Sequence, residues 1–311
     1  MTGSGSNAVN TRAAHYAATA RMGDLSRQLD DVQAQIARAK RIDTPADDPV
    51  AFARAAVLYR EQAGAAATQR SIDAANRRLT ATDTALESVG ELVQRGRELA
   101  LQANSAVLSP ADRATVAGEL TQLEAQLRTL ADSRDSDGER LFGGAIGNRP
   151  PYGIDANGVT VWQGGGRAPA VTIGGSSVAT GSEGPDVFGV TDAVAGTRDL
   201  FAAFTALRAA LAQPDAELRT AGIETGIGDF DTHITRLADA RGSLGARLGR
   251  LDSESERLAK AKLATESDLS KLESLDMPEA IARLQRLITV MEAAQASFVR
   301  ITNLSLWDQL R

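Results

Sequence analysis

No cysteine occurs in the 311 residues, which removes thiol nucleophiles, disulfides and every zinc site built on sulfur. Histidine is nearly as scarce. His15 and His233 are the only two, and their separation argues against a two-histidine metal site or a Ser-His-Asp triad. Aromatic residues make up 4% of the chain, too few to line a ring-rich ligand pocket. Positive charge is not in excess either: 34 basic and 40 acidic residues leave a net charge of −6. The chain therefore has no global basic field to hold a polyanion, and nucleic acid is not an expected partner. No apolar run reaches the roughly 18 residues of a membrane span, so no membrane partner is expected. The opening Met1-Thr-Gly-Ser-Gly-Ser-Asn7 lacks both the basic start and the apolar run of a cleavable secretory signal. That suits a cytoplasmic chain, and equally one exported by a route that reads an uncleaved amino terminus. What is abundant is Ala, Leu, Arg, Glu and Gln, the composition of long helices.

The helices can be followed by their apolar spacing. Ala18, Met22, Leu25, Leu29, Val32 and Ile36 recur at intervals of four and three, the seam of a coiled coil, and His15 falls on the same stripe as a packed side chain. Lys40-Arg-Ile-Asp-Thr-Pro-Ala-Asp-Asp-Pro49 stops this helix, because its prolines and aspartates refuse a helix interior. A second helix is expected from Pro49, capped by Asp47 or Asp48, with Ile72, Ala75, Leu79, Thr82, Leu86, Val89 and Val93 as its seam. Ser109-Pro-Ala-Asp112 has the cap, proline and acidic residue that open a third, which carries Val116, Leu120, Leu123, Leu127 and Leu130.

From about Phe142 to Gly189 the periodicity disappears and glycine and proline crowd in. Gly158–Trp162 and Ala168–Ile173 alternate as strands do, and Asp155-Ala-Asn-Gly158 suits a hairpin turn. This insert is expected to tolerate trimming. Helix returns from Asp199, with Leu237, Leu244, Leu248, Leu251, Leu258, Leu269 and Leu272, and a last helix after Pro278 carries Ile281, Leu284, Ile288, Met291, Phe298 and Ile301. The fold class that follows is mainly α: a long antiparallel coiled-coil rod from the two ends of the chain, with a small β-rich insertion.

Chemical motifs are few. Gly3-Ser-Gly-Ser-Asn-Ala8 matches a dinucleotide-binding spacing but follows no strand. Asp135-Ser-Asp137-Gly138 imitates part of a calcium loop, yet Gly144 stands where the closing glutamate belongs, so an ordinary turn is expected. Asp43, Asp47 and Asp48 are expected to cap and solvate a loop. No cofactor, metal or catalytic residue is expected. The arginine pairs Arg95 with Arg97 and Arg247 with Arg250 fit solvated outer positions that pair with nearby carboxylates.

Four segments, in order, resemble the bacterial flagellin and hook-associated family. They are Leu25-Ser-Arg-Gln-Leu through Ile36 to Asp47-Asp-Pro49, Ala74-Ala-Asn-Arg-Arg-Leu through Glu98-Leu-Ala-Leu-Gln-Ala-Asn104, Arg134-Asp-Ser-Asp-Gly-Glu-Arg-Leu-Phe-Gly-Gly144, and Gly245-Ala-Arg-Leu-Gly-Arg-Leu-Asp252 with Ile301-Thr-Asn-Leu-Ser-Leu-Trp307. Leu141-Phe-Gly-Gly144, the brief insert and the Leu-Ser-Leu-aromatic ending are more similar to proteins of the hook-filament junction than to major flagellins. Arg38-Ala39 departs from the family's usual Ser-Gly, and the first dozen residues lack its usual start.

The resemblance implies a non-enzymatic subunit outside the cell, exported without a cleaved signal, that joins hook to filament through its helical termini. Its implied partners are other flagellar axial proteins, further copies of itself and an export chaperone. A short flagellin is the alternative, and a cytoplasmic coiled-coil scaffold a more distant one. The expected segments are 1–44 and 276–311, terminal helices that order only on assembly; 45–142 and 191–275, the rod; and 143–190, the β-rich insert. Expected assembly residues are Met22, Leu25, Leu29, Val32 and Ile36 at one end and Met291, Phe298, Ile301, Leu304, Leu306, Trp307 and Leu310 at the other. Arg41, Pro45, Asp47, Asp48 and Pro49 form the family-motif loop.

Overall fold

The computed structural model describes residues 5–105, 108–156, 159–192 and 196–309. Its elements run α1 (Gly5–Arg38), α2 (Pro49–Ser105), α3 (Pro110–Ala131), β1 (Tyr152–Ile154), β2 (Thr160–Trp162), β3 (Ala170–Ile173), β4 (Ser176–Ala179), α4 (Gly184–Phe188), α5 (Leu200–Leu211), α6 (Ala216–Glu273) and α7 (Met277–Gln309). The chain is mainly α with a small antiparallel β region.

Aspartate opens most of the helices. Asp48 accepts from the backbone N–H of Val50 (3.2 Å) and Ala51 (3.0 Å) ahead of α2. Asp199 does the same for Ala202 at α5 (2.8 Å), Asp215 for Leu218 at α6 (3.0 Å) and Asp276 for Glu279 at α7 (3.1 Å). Each satisfies a donor that the first helical turn leaves unpaired. At α3 Ser109 and Asp112 form a reciprocal capping box ahead of Pro110.

Two compact units divide the chain: Met1–Gly64 with Lys260–Arg311, and Ala65–Ala259. The second has a continuous core. The α2 seam of Ile72, Ala75, Leu79, Thr82, Leu86, Val89 and Val93 is buried throughout, as are Val116, Leu120, Leu123 and Leu127 of α3. The hydroxyl of Thr82 donates to the Arg78 carbonyl (2.9 Å), which removes the penalty of its burial. Where α3 packs on α5, the buried Glu124 carboxylate is held by Arg128 (2.7 Å) and Arg208 (2.8 Å). Phe204 and Phe230 meet edge to face at 5.0 Å. Gly96 permits this, because an added Cβ would come within 3.0 Å of both rings.

The β region is two separate hairpins, β1–β2 and β3–β4. The expected Asn157-Gly158 turn lies outside the described residues, but Asp155 and Val159 close the β1–β2 loop through an N–H to carbonyl bond of 2.9 Å. Gly174 and Gly175, both at positive φ, turn the second hairpin. These strands share the compact unit and core of Ala65–Ala259. Tyr152, Phe142, Phe188 and Phe201 form one aromatic cluster with ring centroids 4.9–5.6 Å apart. Ile173, Val178 and Val187 are buried in the same core. The expectation that the insert can be trimmed is therefore corrected: removing residues 146–188 would take Phe188 and Val187 out of a core that the helices also line.

Candidate assembly interface

Within the unit formed by the two ends of the chain, α1 packs along α7. The pair is antiparallel: the rings of His15 and Phe298 meet at 4.7 Å toward one end, and Lys40 bridges Ser274 at the other. The α1 face toward this pairing is the expected seam. Val32 is buried, while Ala18, Met22, Leu25, Leu29 and Ile36 are only half-covered. On α7 the covered positions include Ala280, Leu284, Leu287, Met291, Ala294 and Phe298, spaced four and three. Ile281 and Ile288, expected in that seam, are exposed. The helix turns the small Ala280 and Ala294 inward and leaves the bulkier neighbours outside. The side chains of Ile301, Leu304, Leu306 and Trp307, and the whole of Leu310, lie outside the described residues.

The loop between α1 and α2 is ordered by its own polar groups. Asp47 accepts from the backbone N–H of Thr44 (2.8 Å) and of Asp43 (3.0 Å), and from the Thr44 hydroxyl (3.0 Å). Those donors hold its carboxyl below the usual carboxylate range. Asp48 is likewise held low, chiefly by the Ala51 N–H. Pro49 then occupies the first helical position, where a missing N–H costs nothing. Pro45 lies in the turn closed by Asp47 N–H to the Thr44 carbonyl (3.1 Å).

This loop is tied to the corner between α6 and α7. The Arg41 N–H donates to the Glu273 carbonyl (2.7 Å), its guanidinium to the Leu272 carbonyl (3.0 Å), and Leu275 N–H to the Ala39 carbonyl (3.3 Å). The Glu273 carboxylate accepts from Lys40 (2.7 Å) and from the Tyr59 hydroxyl (2.9 Å), a contact that raises the Lys40 ammonium above its ordinary value. Beside it, Ile42, Phe52, Ala55 and Tyr59 line a hollow of about 250 Å³. Ala39 ends α1 at φ 52°, the left-handed conformation that favours glycine. Lys40, Tyr59 and Glu273 were not legible as a group, because pairing across 214 residues or more leaves no local spacing.

The rest of this unit is richly apolar on its outside. Tyr16 and Val50 are 75% and 80% exposed, Leu263 is 67% exposed, and Val57, Ile281, Ile288 and Val290 also face solvent. Of these, Tyr16 lies on α1 and Ile281, Ile288 and Val290 on α7, the pair with the half-covered seams, while Val50 and Val57 lie on α2 and Leu263 on α6. Among the described residues no helix is long and apolar enough to cross a membrane.

Comparison with known proteins agrees with this architecture. The bacterial flagellin N-terminal helical region matches residues 9–146 and the C-terminal helical region matches residues 227–308. Flagellar hook-associated protein 3 of Escherichia coli strain K12 is 26% identical over 289 residues, covering 88% of this chain and 90% of that protein. A Listeria monocytogenes flagellin is 25% identical, covering 83% of each. The flagellar junction protein FlgL of Legionella pneumophila superposes with a TM-score of 0.60 at 16% identity, covering 71% of this chain and all of that one. With both helical regions matched in their expected order at the two ends, the chain belongs to the bacterial flagellin family.

Proposed function

We propose that the chain is a structural subunit of the bacterial flagellum that joins hook to filament, with no enzymatic activity. The observation that carries this reading is similarity to a hook-associated protein along 88% of the chain, together with terminal helices that leave half-covered apolar seams. In this reading the protein lies outside the cell and is exported with the help of a chaperone. It contacts other axial proteins of the flagellum and further copies of itself through α1, α7 and the Arg41–Pro49 loop. Segments 1–44 and 276–311 order on assembly, because fixing each residue costs on the order of 1 to 2 kcal/mol and a half-covered seam recovers little of it alone.

Electron microscopy of flagella from a strain lacking the chain tests the function. Intact hooks with shed filaments are expected; intact junctions without filaments would make the chain a flagellin instead. A protein confined to the cell pellet would point to a cytoplasmic scaffold. Leu306→Asp, which puts a carboxylate into the apolar carboxy-terminal cluster, is expected to block incorporation at the hook tip while the free chain melts as the parent does.

A further inference from the structure

Among the described residues, a polar groove of about 630 Å³ runs along α6 within the unit Ala65–Ala259. Thr232, Thr235, Arg236 and Asp239 line it from α6, and Ser182 and Asp186 from the chain entering α4. The assembly reading gives this groove no role. Arg236 is its unusual member. It is half-buried, its Nε is fully covered with no hydrogen-bond partner, and among the described residues no carboxylate pairs with it. Gly189 lies over that nitrogen, since a Cβ added there would come within 3.6 Å of it. The terminal nitrogens are the donors left to meet a ligand. Arg247, farther along the same helix, differs: it is engaged by the Gly181 carbonyl (2.8 Å) and the Ser243 hydroxyl (3.1 Å).

The chemistry of the lining selects among ligands. A guanidinium that no carboxylate reaches, although Asp186 and Asp239 lie in the same lining, favours a carboxylate or similar planar anion. Asp186 and Asp239 accept hydrogen bonds and would repel a purely acidic peptide, so the anion must also carry hydroxyl donors. No aromatic side chain lines the groove, which disfavours an apolar ligand, and the volume falls in the range of small-molecule sites. We propose that this groove binds a sugar acid, a polyhydroxylated ligand with a single carboxylate. Arg236 holds the carboxylate, Asp186 and Asp239 accept from ring hydroxyls, and the hydroxyls of Thr232 and Thr235, which themselves donate to the Gly228 (2.9 Å) and Asp231 (3.1 Å) carbonyls, accept from the remaining ones beside Ser182.

Amide chemical shifts of the purified full chain, titrated with glucuronate, glucose and acetate at constant ionic strength, test this. Glucuronate is expected to shift the amides of residues 232–243 and to saturate in the millimolar range, with glucose and acetate at least tenfold weaker. Arg236→Gln is expected to weaken glucuronate at least tenfold without changing the melting temperature. Should that variant melt lower, Asp239→Asn, at an exposed position, is expected to weaken glucuronate and leave acetate unchanged. Absence of saturable glucuronate binding, acetate binding as tightly as glucuronate, or unchanged glucuronate affinity in the folded variants would each overturn the proposal.

Discussion

The two compact units use the same heptad spacing to different ends. In Ala65–Ala259 the α2 seam has Ile72, Leu79, Leu86, Val89 and Val93 at 0% exposure, covered by a core of helices and hairpins from the same chain. In the unit of the two chain ends, Met22, Leu25, Leu29 and Ile36 occupy the same kind of seam and remain half-covered, with α7 as the partner helix. A heptad stripe thus specifies that a helix will pack, and the number of partners that the chain itself supplies decides whether the packing closes. Where it does not close, an apolar face stays half-covered.

The comparison predicts unequal costs for one chemical change. Leu86→Ala should destabilise the free chain by about 2 to 5 kcal/mol, the cost of a cavity in a closed core, whereas Leu29→Ala should cost about 1 kcal/mol or less. Denaturant melts of both variants measure this, and equal losses would erase the distinction. Glu124→Ala comes next. It strands Arg128 and Arg208 beside a buried position, and a loss of about 2 kcal/mol is expected from breaking charge-assisted bonds that are partly open to water.

A smaller effect concerns pH. His233 is 2% exposed, and its Nε2 donates to the Arg198 carbonyl (3.0 Å), so Nδ1 is an unprotonated and unpartnered acceptor. Burial foremost, with the nearby Arg236 charge, pushes its pKa below the ordinary imidazole value. The folded chain therefore takes up this proton less readily than the unfolded chain. The associated stability is complete above the ordinary value of about 6.5 and declines as pH falls below it toward the folded value. Melts between pH 7.5 and pH 5 should show this limb, and His233→Gln should flatten it. The smallest effect is a gain: Ala39→Gly relieves a left-handed alanine and should stabilise the assembled form, in which segment 1–44 is ordered, by about 1 kcal/mol or less, as melts of the assembled variant would register.

What could be read in advance follows the same physics. Asp48-Pro49 and Ser109-Pro110 announce their helices because cap and proline are local chemistry, and the seam from Ile72 to Val93 repeats often enough to fix its face. The strands β2 and β3 show alternation, but Tyr152-Gly-Ile154 is too short and Ser176–Ala179 too poor in large apolar residues to announce β1 and β4. On α7 two apolar stripes lie side by side, and hydropathy favours Ile281 and Ile288. Packing instead selects Ala280 and Leu287 beside the expected Leu284, a choice made by the fit of two helices that one helix cannot reveal. The corner at Glu273 and the groove at Arg236 depend on residues from distant segments, which only the folded chain assembles.

The most direct test of the difference between the units is hydrogen exchange of the chain, first free in solution and then in the assembled flagellum. Amides of α1 and α7 are expected to exchange rapidly in the free chain and to become protected on assembly, while those of α2 and α6 within 65–259 are protected in both. Equal, strong protection of all four helices in the free chain would contradict this, because the ends would then be a closed core with nothing left to complete.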